Sequence, residues 1–259
     1  PQALGNFGHG EKKTTFVADY IEGSKKLVHG WDDAYSTVGV TTRGGLTKIP
    51  QNPLTGKEMF YYYKLMGPPQ FKGVINLEKG AGENIDAVAT HAQIPPRRIK
   101  IAVMDRKCNI DIIQEARARG AEVELINSGD LIWGLRAMQS PVDKPILMRG
   151  RGGAPEGAIA AIAGRALGAV AQLQMIEDER NEEGVKHNSP IWNAEDYVTG
   201  APEHCFVVLA AVTNSTHYDL PAVKVDQQDP KLYIVNGMVI DQKGYNKFVP
   251  MSLPNLLAA

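Results

Sequence analysis

Two short stretches carry residues whose types and spacing could do chemistry. In DYIEGS, Asp19 and Glu22 lie three residues apart at the exit of an apolar run. A turn there can aim both carboxylates at one hard cation, while Gly23 and Ser24 offer backbone N–H groups and a hydroxyl to a phosphate. In GRGGAPEG, Gly150, Gly152 and Gly153 run into a segment opened by Pro155, where proline suits the first turn of a helix. Such an N-terminus presents free N–H groups and the positive end of the helix dipole to an anion, and Glu156 sits in that first turn. Each stretch also has a purely structural reading. The first can be a solvated acidic turn, and the second a tight strand-to-helix turn with an acid that complements the dipole.

Other reactive residue types form no comparable pattern. The six histidines, His9, His29, His91, His187, His204 and His217, include no i, i+4 pair, so surface or core roles fit them better than metal binding. The aromatic run Phe60 to Tyr63 reads as a strand with half its rings packed inward, and no basic stripe accompanies it as a stacking platform for nucleic acid would require. Trp31, Trp133 and Trp192 read as core or interface anchors.

The bulk composition supports a globular chain with a substantial core. At 259 residues it can bury one large core or two modest ones, and 43% hydrophobic residues suffice to fill them. Lys and Arg number 28 against 29 Asp and Glu, so no global field draws the chain to nucleic acid or to an anionic membrane. No apolar stretch is long enough for a membrane span, so no membrane insertion is expected. Cys108 and Cys205, the only two cysteines, lack CxxC spacing, which points to a reducing intracellular compartment, the cytoplasm or an organelle interior such as a mitochondrion or chloroplast. The chain opens on Pro-Gln-Ala rather than Met, as a processed or trimmed form would.

The elements that must position these residues follow from hydrophobic rhythm. TTFVAD (14–19) reads as a short buried strand, Ala34 to Thr42 and Met59 to Met66 as further strands of a meandering sheet, and Asn84 to Ala92 as a helix. Pro95-Pro96-Arg97-Arg98 is a rigid break, which divides the chain into an N-terminal sheet region, residues 1–96, and a C-terminal α/β domain, residues 97–259. Beyond it, IKIAVM, NIDIIQEARARG, AEVELI, SGDLIWGLRAM, PILMRG and APEGAIAAIAGRALGAVAQL alternate strand and helix. Strands apolar on both faces signal a parallel sheet covered by helices. Glu177 to His187 reads as a solvated loop, and CFVVLAAV and KLYIVNGMVI as later strands.

The strings DYIEGSKKLVHG, MFYYYKL, IAVMDRKCNIDIIQEARARGAEVELINSGDL and GRGGAPEGAIAAIAGRALG occur in the order and approximate spacing of blocks in a known family. The chain resembles the class II fructose-1,6-bisphosphatases, including the bifunctional fructose-1,6-/sedoheptulose-1,7-bisphosphatases. Their matching blocks read roughly DPxEGTxxxxxG, MYMxKL, MDRPRHxxLIxExRxxGAxVxLIxDGDV and GxGGAPEG. The resemblance implies the layered α/β sugar-phosphatase fold of the inositol-phosphatase-like superfamily, with its N-terminal sheet region incomplete. It implies that Asp19, Glu22 and Glu156 bind Mg or Mn, and that Gly23 and Ser24 contact phosphate, with Ser24 orienting the phosphate or the attacking water. It also implies that Tyr61, Arg106, Gly129, Asp130 and Gly153 help hold a sugar bisphosphate.

Departures from the family pattern are equally specific. Only PQALGNFGHGEKK precedes the first strand, where the family carries a further metal-binding Asp and a GEGE motif. Within the matching blocks, Tyr20 replaces Pro, Cys108 replaces a phosphate-binding Arg, and Ser128 replaces the first Asp of DGD. Two readings follow. In the first, the chain is a catalytically inactive homologue serving as a structural or accessory subunit of a larger complex. A foreign chain, or a second copy, then covers the truncated N-terminal edge. In the second, it is an active Mg- or Mn-dependent fructose-1,6-bisphosphatase whose N-terminal block is absent from this chain. Loss of a carboxylate ligand or of a bidentate Arg clamp bears directly on catalysis, so the three internal changes favour the first.

Overall fold

The computed structural model describes residues 2–7, 14–47, 61–176, 190–248 and 250–254. Strands β1 (Gln2–Phe7), β2 (Thr14–Glu22), β3 (Tyr35–Thr41), β10 (Cys205–Ala211), β13 (Gly237–Asp241) and β14 (Gly244–Lys247) form one antiparallel sheet in that order. A second six-stranded sheet has the order β6 (Glu122–Ile126), β5 (Lys100–Met104), β7 (Ile146–Gly153), β4 (Tyr61–Gly67), β8 (Val170–Ile176), β9 (Ile191–Asn193). In it β5 pairs parallel with β6 and with β7, whereas the β7–β4, β4–β8 and β8–β9 pairs are antiparallel. A small third sheet holds β11 (Lys224–Val225), β12 (Leu232–Val235) and β15 (Met251–Pro254).

The helices are α1 (Ser24–Val28), α2 (Ala81–Ala92), α3 (Ile110–Ala118), α4 (Asp130–Met138), α5 (Ala154–Leu167) and α6 (Ala194–Tyr197). α5 lies between the two large sheets and touches both, with α4 beside it, while α2 and α3 cover the outer face of the second sheet. The sequence of α5 suits this place. Its small residues Gly157, Ala158, Ala160, Ala161, Ala163 and Gly164 are buried around the whole helix, which lets two sheets approach it at once. Strand alternation divides the second sheet between two cores. Tyr62 and Met66 of β4 and Ala102 and Met104 of β5 face α4 and α5, and Leu65, Ile101 and Val103 face α2 and α3.

The molecule is a mixed α/β fold of several sheets, and three sequence expectations need correction. The break at 95–98 does not separate two sheets. β4 from the first part is central in the second sheet, and β10, β13 and β14 from the second part complete the first sheet. Nor is the second sheet wholly parallel, because β4 and β9 run opposite to the other four strands. The strand expected to stop at Asp19 runs to Glu22, and its outer side is paired along Thr14–Asp19 by β1 of the same chain. The stretch Glu177 to His187 lies outside the described residues. No helix among the described residues is long and apolar enough to cross a membrane.

The loop after β10 is tied to the entry of β3 by a buried polar knot. Asp33 accepts hydrogen bonds from Tyr35 Oη (2.9 Å), the Thr216 N–H (2.8 Å) and Thr216 Oγ1 (2.6 Å), and His217 sits beside it, edge-on to Trp133 of α4. Burial pulls the His217 imidazole down from 6.5 to about 4, helped by Arg136 and Lys26 and opposed by Asp33. An imidazole held neutral by the fold stabilises the native state fully above pH 6.5, and that contribution is lost as the pH falls towards 4. Thermal unfolding across this window is expected to show a falling stability that His217→Gln flattens. An unchanged slope in the variant would assign the acid sensitivity to other groups.

Candidate metal and phosphate site

Strands β5, β6 and β7 end on the same side of the second sheet, where the oppositely directed β4 begins. The residues singled out from the sequence follow these ends. Arg106 comes just after β5, Gly129 and Asp130 after β6, and Gly153 at the end of β7, directly opposite Tyr61 at the start of β4. The carboxyl ends of parallel strands are where α/β sheets place ligands. Tyr61 and Arg106 stand there half-buried.

Asp19 and Glu22 arrive from the first sheet, through an irregularity that the sequence spacing did not reveal. The register runs Asp19 opposite Thr37 and then Glu22 opposite Tyr35, so three steps along β2 match two along β3. In a regular strand, residues three apart face opposite sides. The extra residue of the bulge turns Asp19 and Glu22 to one side, and the Ile21 N–H within it donates to Asp19 Oδ1 (3.2 Å). Gly23 follows in a left-handed conformation, φ 79°, with the Asp33 carbonyl 3.2 Å from where a Cβ would stand, so a larger residue would be both strained and crowded. Ser24 then opens α1 and is exposed.

The outcome is a cluster in which Asp19, Glu22 and Glu156 each bring a carboxylate oxygen within 4.8 Å of the others. Glu156 is in the first turn of α5, and Glu22 Oε1 accepts the Leu131 N–H at 2.8 Å, at the start of α4. Two helix N-termini thus point at the same place, where their dipoles favour negative charge. Behind the cluster, Lys64 of β4, 1% exposed, forms an ion pair of 2.6 Å with Asp130.

The charges do not balance. Burial pushes the Glu22 carboxyl well above its usual range, reinforced by the negative charges of Asp130, Glu156 and Asp19 and only partly relieved by the Leu131 N–H. Burial likewise pushes Glu156 up, with Lys64 pulling it down and Asp130 and Asp19 adding to the rise. Lys64 is held protonated despite its burial, chiefly by Asp130 and then by Glu156. Four carboxylates therefore face one buried lysine, and Glu156 Oε2 is buried without a hydrogen-bond partner. Oxygen-only donors, excess negative charge and an unsatisfied carboxylate oxygen are what a hard divalent cation requires, so these residues fit one.

Two glycines are needed here for close approach rather than for their backbone angles. A Cβ on Gly152 would stand 2.5 Å from Asp130 Oδ2 and 2.6 Å from Lys64 Nζ, and one on Gly153 would strike the Glu156 carboxylate. Gly152→Ala is expected to cost about 1–3 kcal/mol of stability and to displace the Lys64–Asp130 pair. Denaturant unfolding measures this, and a neutral effect would mean that the pair has room to move.

The structure thus brings Asp19, Glu22, Glu156, Gly129, Asp130 and Gly153 together and places Gly23 and Ser24 at the same edge. Sequence reasoning gave Lys64 no role, although a signal was present. A lysine within the apolar strand YYYKLMG can be buried only beside a carboxylate. Of the departures from the family blocks, Tyr20 is 45% exposed on β2, Ser128 is buried just before Gly129, and Cys108 sits in a short 3-10 turn after β5.

The chain is similar to known proteins over most of its length. The family model described as bacterial fructose-1,6-bisphosphatase, glpX-encoded, matches residues 2–244. The D-fructose 1,6-bisphosphatase class 2/sedoheptulose 1,7-bisphosphatase of Synechococcus sp. (strain JA-3-3Ab) is 30% identical over 222 residues, covering 79% of this chain and 60% of the relative. The protein of the same description from Synechocystis sp. (strain ATCC 27184 / PCC 6803 / Kazusa) is 31% identical over 202 residues, 71% of this chain and 56% of the relative. One from Acaryochloris marina (strain MBIC 11017) is 35% identical over 162 residues, 62% of this chain and 44% of the relative. The match thus spans 60% or less of the length of each of these relatives. On a family match that runs from β1 to β14, the chain belongs to the class II, glpX-type bacterial fructose-1,6-bisphosphatases.

Proposed function

We propose that the chain carries the working site of a metal-dependent sugar bisphosphatase, hydrolysing a phosphate monoester of fructose 1,6-bisphosphate or sedoheptulose 1,7-bisphosphate. The observation that carries this reading is the convergence of Asp19, Glu22 and Glu156, with a buried, unpartnered oxygen on Glu156. Among the departures, Tyr20 falls on an exposed position and so bears little on the cluster. The matched relatives are described as bisphosphatases, which supports hydrolysis over the inactive-subunit reading. The order of layers, a sheet, α4 and α5, a second sheet, then α2 and α3, suits the inositol-phosphatase-like superfamily.

In this reading water attacks phosphorus and gives up a proton, the bond from phosphorus to the sugar oxygen breaks, and that sugar oxygen takes up the proton to become a hydroxyl, leaving inorganic phosphate. Asp19, Glu22 and Glu156 would hold Mg2+ or Mn2+, which supplies neutralisation of phosphate charge and activation of the attacking water. The Ser24 hydroxyl orients the phosphate or that water. Backbone N–H groups at Gly23 and at the start of α5 meet phosphate oxygens, and Tyr61, Arg106, Gly129 and Asp130 hold the sugar bisphosphate at the strand ends. Lys64 fixes Asp130 and offsets part of the cluster's charge.

A phosphate-release assay on the purified chain tests this, with sugar bisphosphates compared against their monophosphate products as substrates. Turnover of bisphosphates at about 1 s⁻¹ or faster, abolished by chelation and restored by Mn2+ or Mg2+, is expected. Absence of turnover under all these conditions would return the chain to the inactive-subunit reading.

A further inference from the structure

Lys26 lies against both glycine turns of the site. Its Cδ is 3.4 Å from the point a Cβ on Gly23 would occupy, and its Cε and Nζ are each 3.8 Å from the corresponding point on Gly129. Glu22 Oε1 is 3.9 Å from that same Gly129 point. The ammonium therefore hangs over the start of α4 beside the carboxylate cluster, in space that the missing Gly129 side chain leaves open. Its backbone is fixed on both sides, since the Lys26 N–H donates to the Gly23 carbonyl (2.8 Å) and the Lys26 carbonyl accepts from the Trp31 N–H (2.8 Å).

The side chain is half-buried, yet among the described residues its ammonium makes no hydrogen bond or ion pair. A partly desolvated cation is costly to hold without an anion to share it. Lys64 cannot serve the same purpose, because it is buried and paired with Asp130. Cys108, in the turn after β5, brings no positive charge to the rim. A phosphate lying against the Gly129 turn would meet Lys26 first.

We propose that Lys26 is a substrate-binding residue whose ammonium pairs with a phosphate oxygen of the sugar bisphosphate over the Gly129 turn. The assignment rests on the bisphosphatase reading above. A charge-assisted hydrogen bond of this kind controls affinity more than turnover, because the phosphate is charged in ground and transition states alike.

The test combines kinetics of the full chain with calorimetry using Mn2+ and inorganic phosphate as probes. Lys26→Met is expected to raise KM for fructose 1,6-bisphosphate about tenfold or more and to weaken phosphate binding by a similar factor. The value of kcat is expected to stay within about threefold, and Lys26→Arg to restore most of the affinity. Mn2+ affinity is expected to be unchanged. An active wild-type chain whose KM and phosphate affinity do not respond to Lys26→Met overturns the inference and leaves the bisphosphatase reading standing. Altered Mn2+ affinity with unaltered phosphate affinity also overturns it, because Lys26 would then only neutralise Glu22. A wild-type chain that neither turns over the sugar bisphosphate nor binds phosphate overturns both.

Discussion

Glu156→Gln is expected to lower metal-dependent phosphate release by about a thousandfold or more while leaving the fold intact. The amide keeps the size and position of the side chain in the first turn of α5 and removes only the charge that completes the three-carboxylate cluster. The same change is expected to leave the metal-free chain as stable as the wild type at neutral pH, or more so. Burial first, and then Asp130 and Asp19, raise the Glu156 carboxyl above its unfolded range. A carboxyl with a raised native pKa favours folding only at low pH, and that advantage is lost as the pH rises through the native value. At neutral pH the buried carboxyl therefore weakens the metal-free fold, and an amide relieves it, the usual opposition between stability and function at a site. Phosphate release and thermal unfolding of the same preparation separate the two effects. Turnover retained in Glu156→Gln would remove this residue from the chemistry, and collapse of the fold would make its role structural.

Lys64→Met is expected to be the most destabilising single change at the site, costing about 3–5 kcal/mol. It leaves the Asp130 carboxylate buried beside α4 with its counter-ion gone, next to Glu22 and Glu156, which already repel it. At this chain length the loss corresponds to a drop of roughly 10 °C in Tm. Adding Asp130→Asn removes the orphaned charge, so the double variant is expected to be more stable than Lys64→Met alone, and a double-mutant cycle measures the coupling. A single variant no worse than the double would show that solvent, not Lys64, balances Asp130.

Much of this site was legible in the sequence because local chemistry specified it. Asp19, Glu22, Gly23 and Ser24 are contiguous, Glu156 follows its glycines directly, and Pro155 marks the start of α5. What the sequence hid depends on pairing between distant segments. The bulge that turns Asp19 and Glu22 to one side exists only through the register of β2 on β3. The exchange of β4 and β10 between the two large sheets is invisible to periodicity, because an apolar strand has the same pattern in either sheet. The family resemblance leaves the edge of the first sheet short of its leading block, yet β1 pairs along Thr14–Asp19 of β2 through backbone groups that need no apolar alternation. Lys64 was legible in principle, since a lysine inside an apolar strand demands a carboxylate, but the partner 66 positions along the chain was not.

Calorimetric titration of the metal-free chain with Mn2+ at neutral pH, beside Glu156→Gln, bears most directly on whether Asp19, Glu22 and Glu156 form a divalent-cation site. Saturable binding by the wild type that disappears in the variant is expected, with added phosphate tightening it. Equal binding by both chains, or none by the wild type, would contradict the assignment of the cluster.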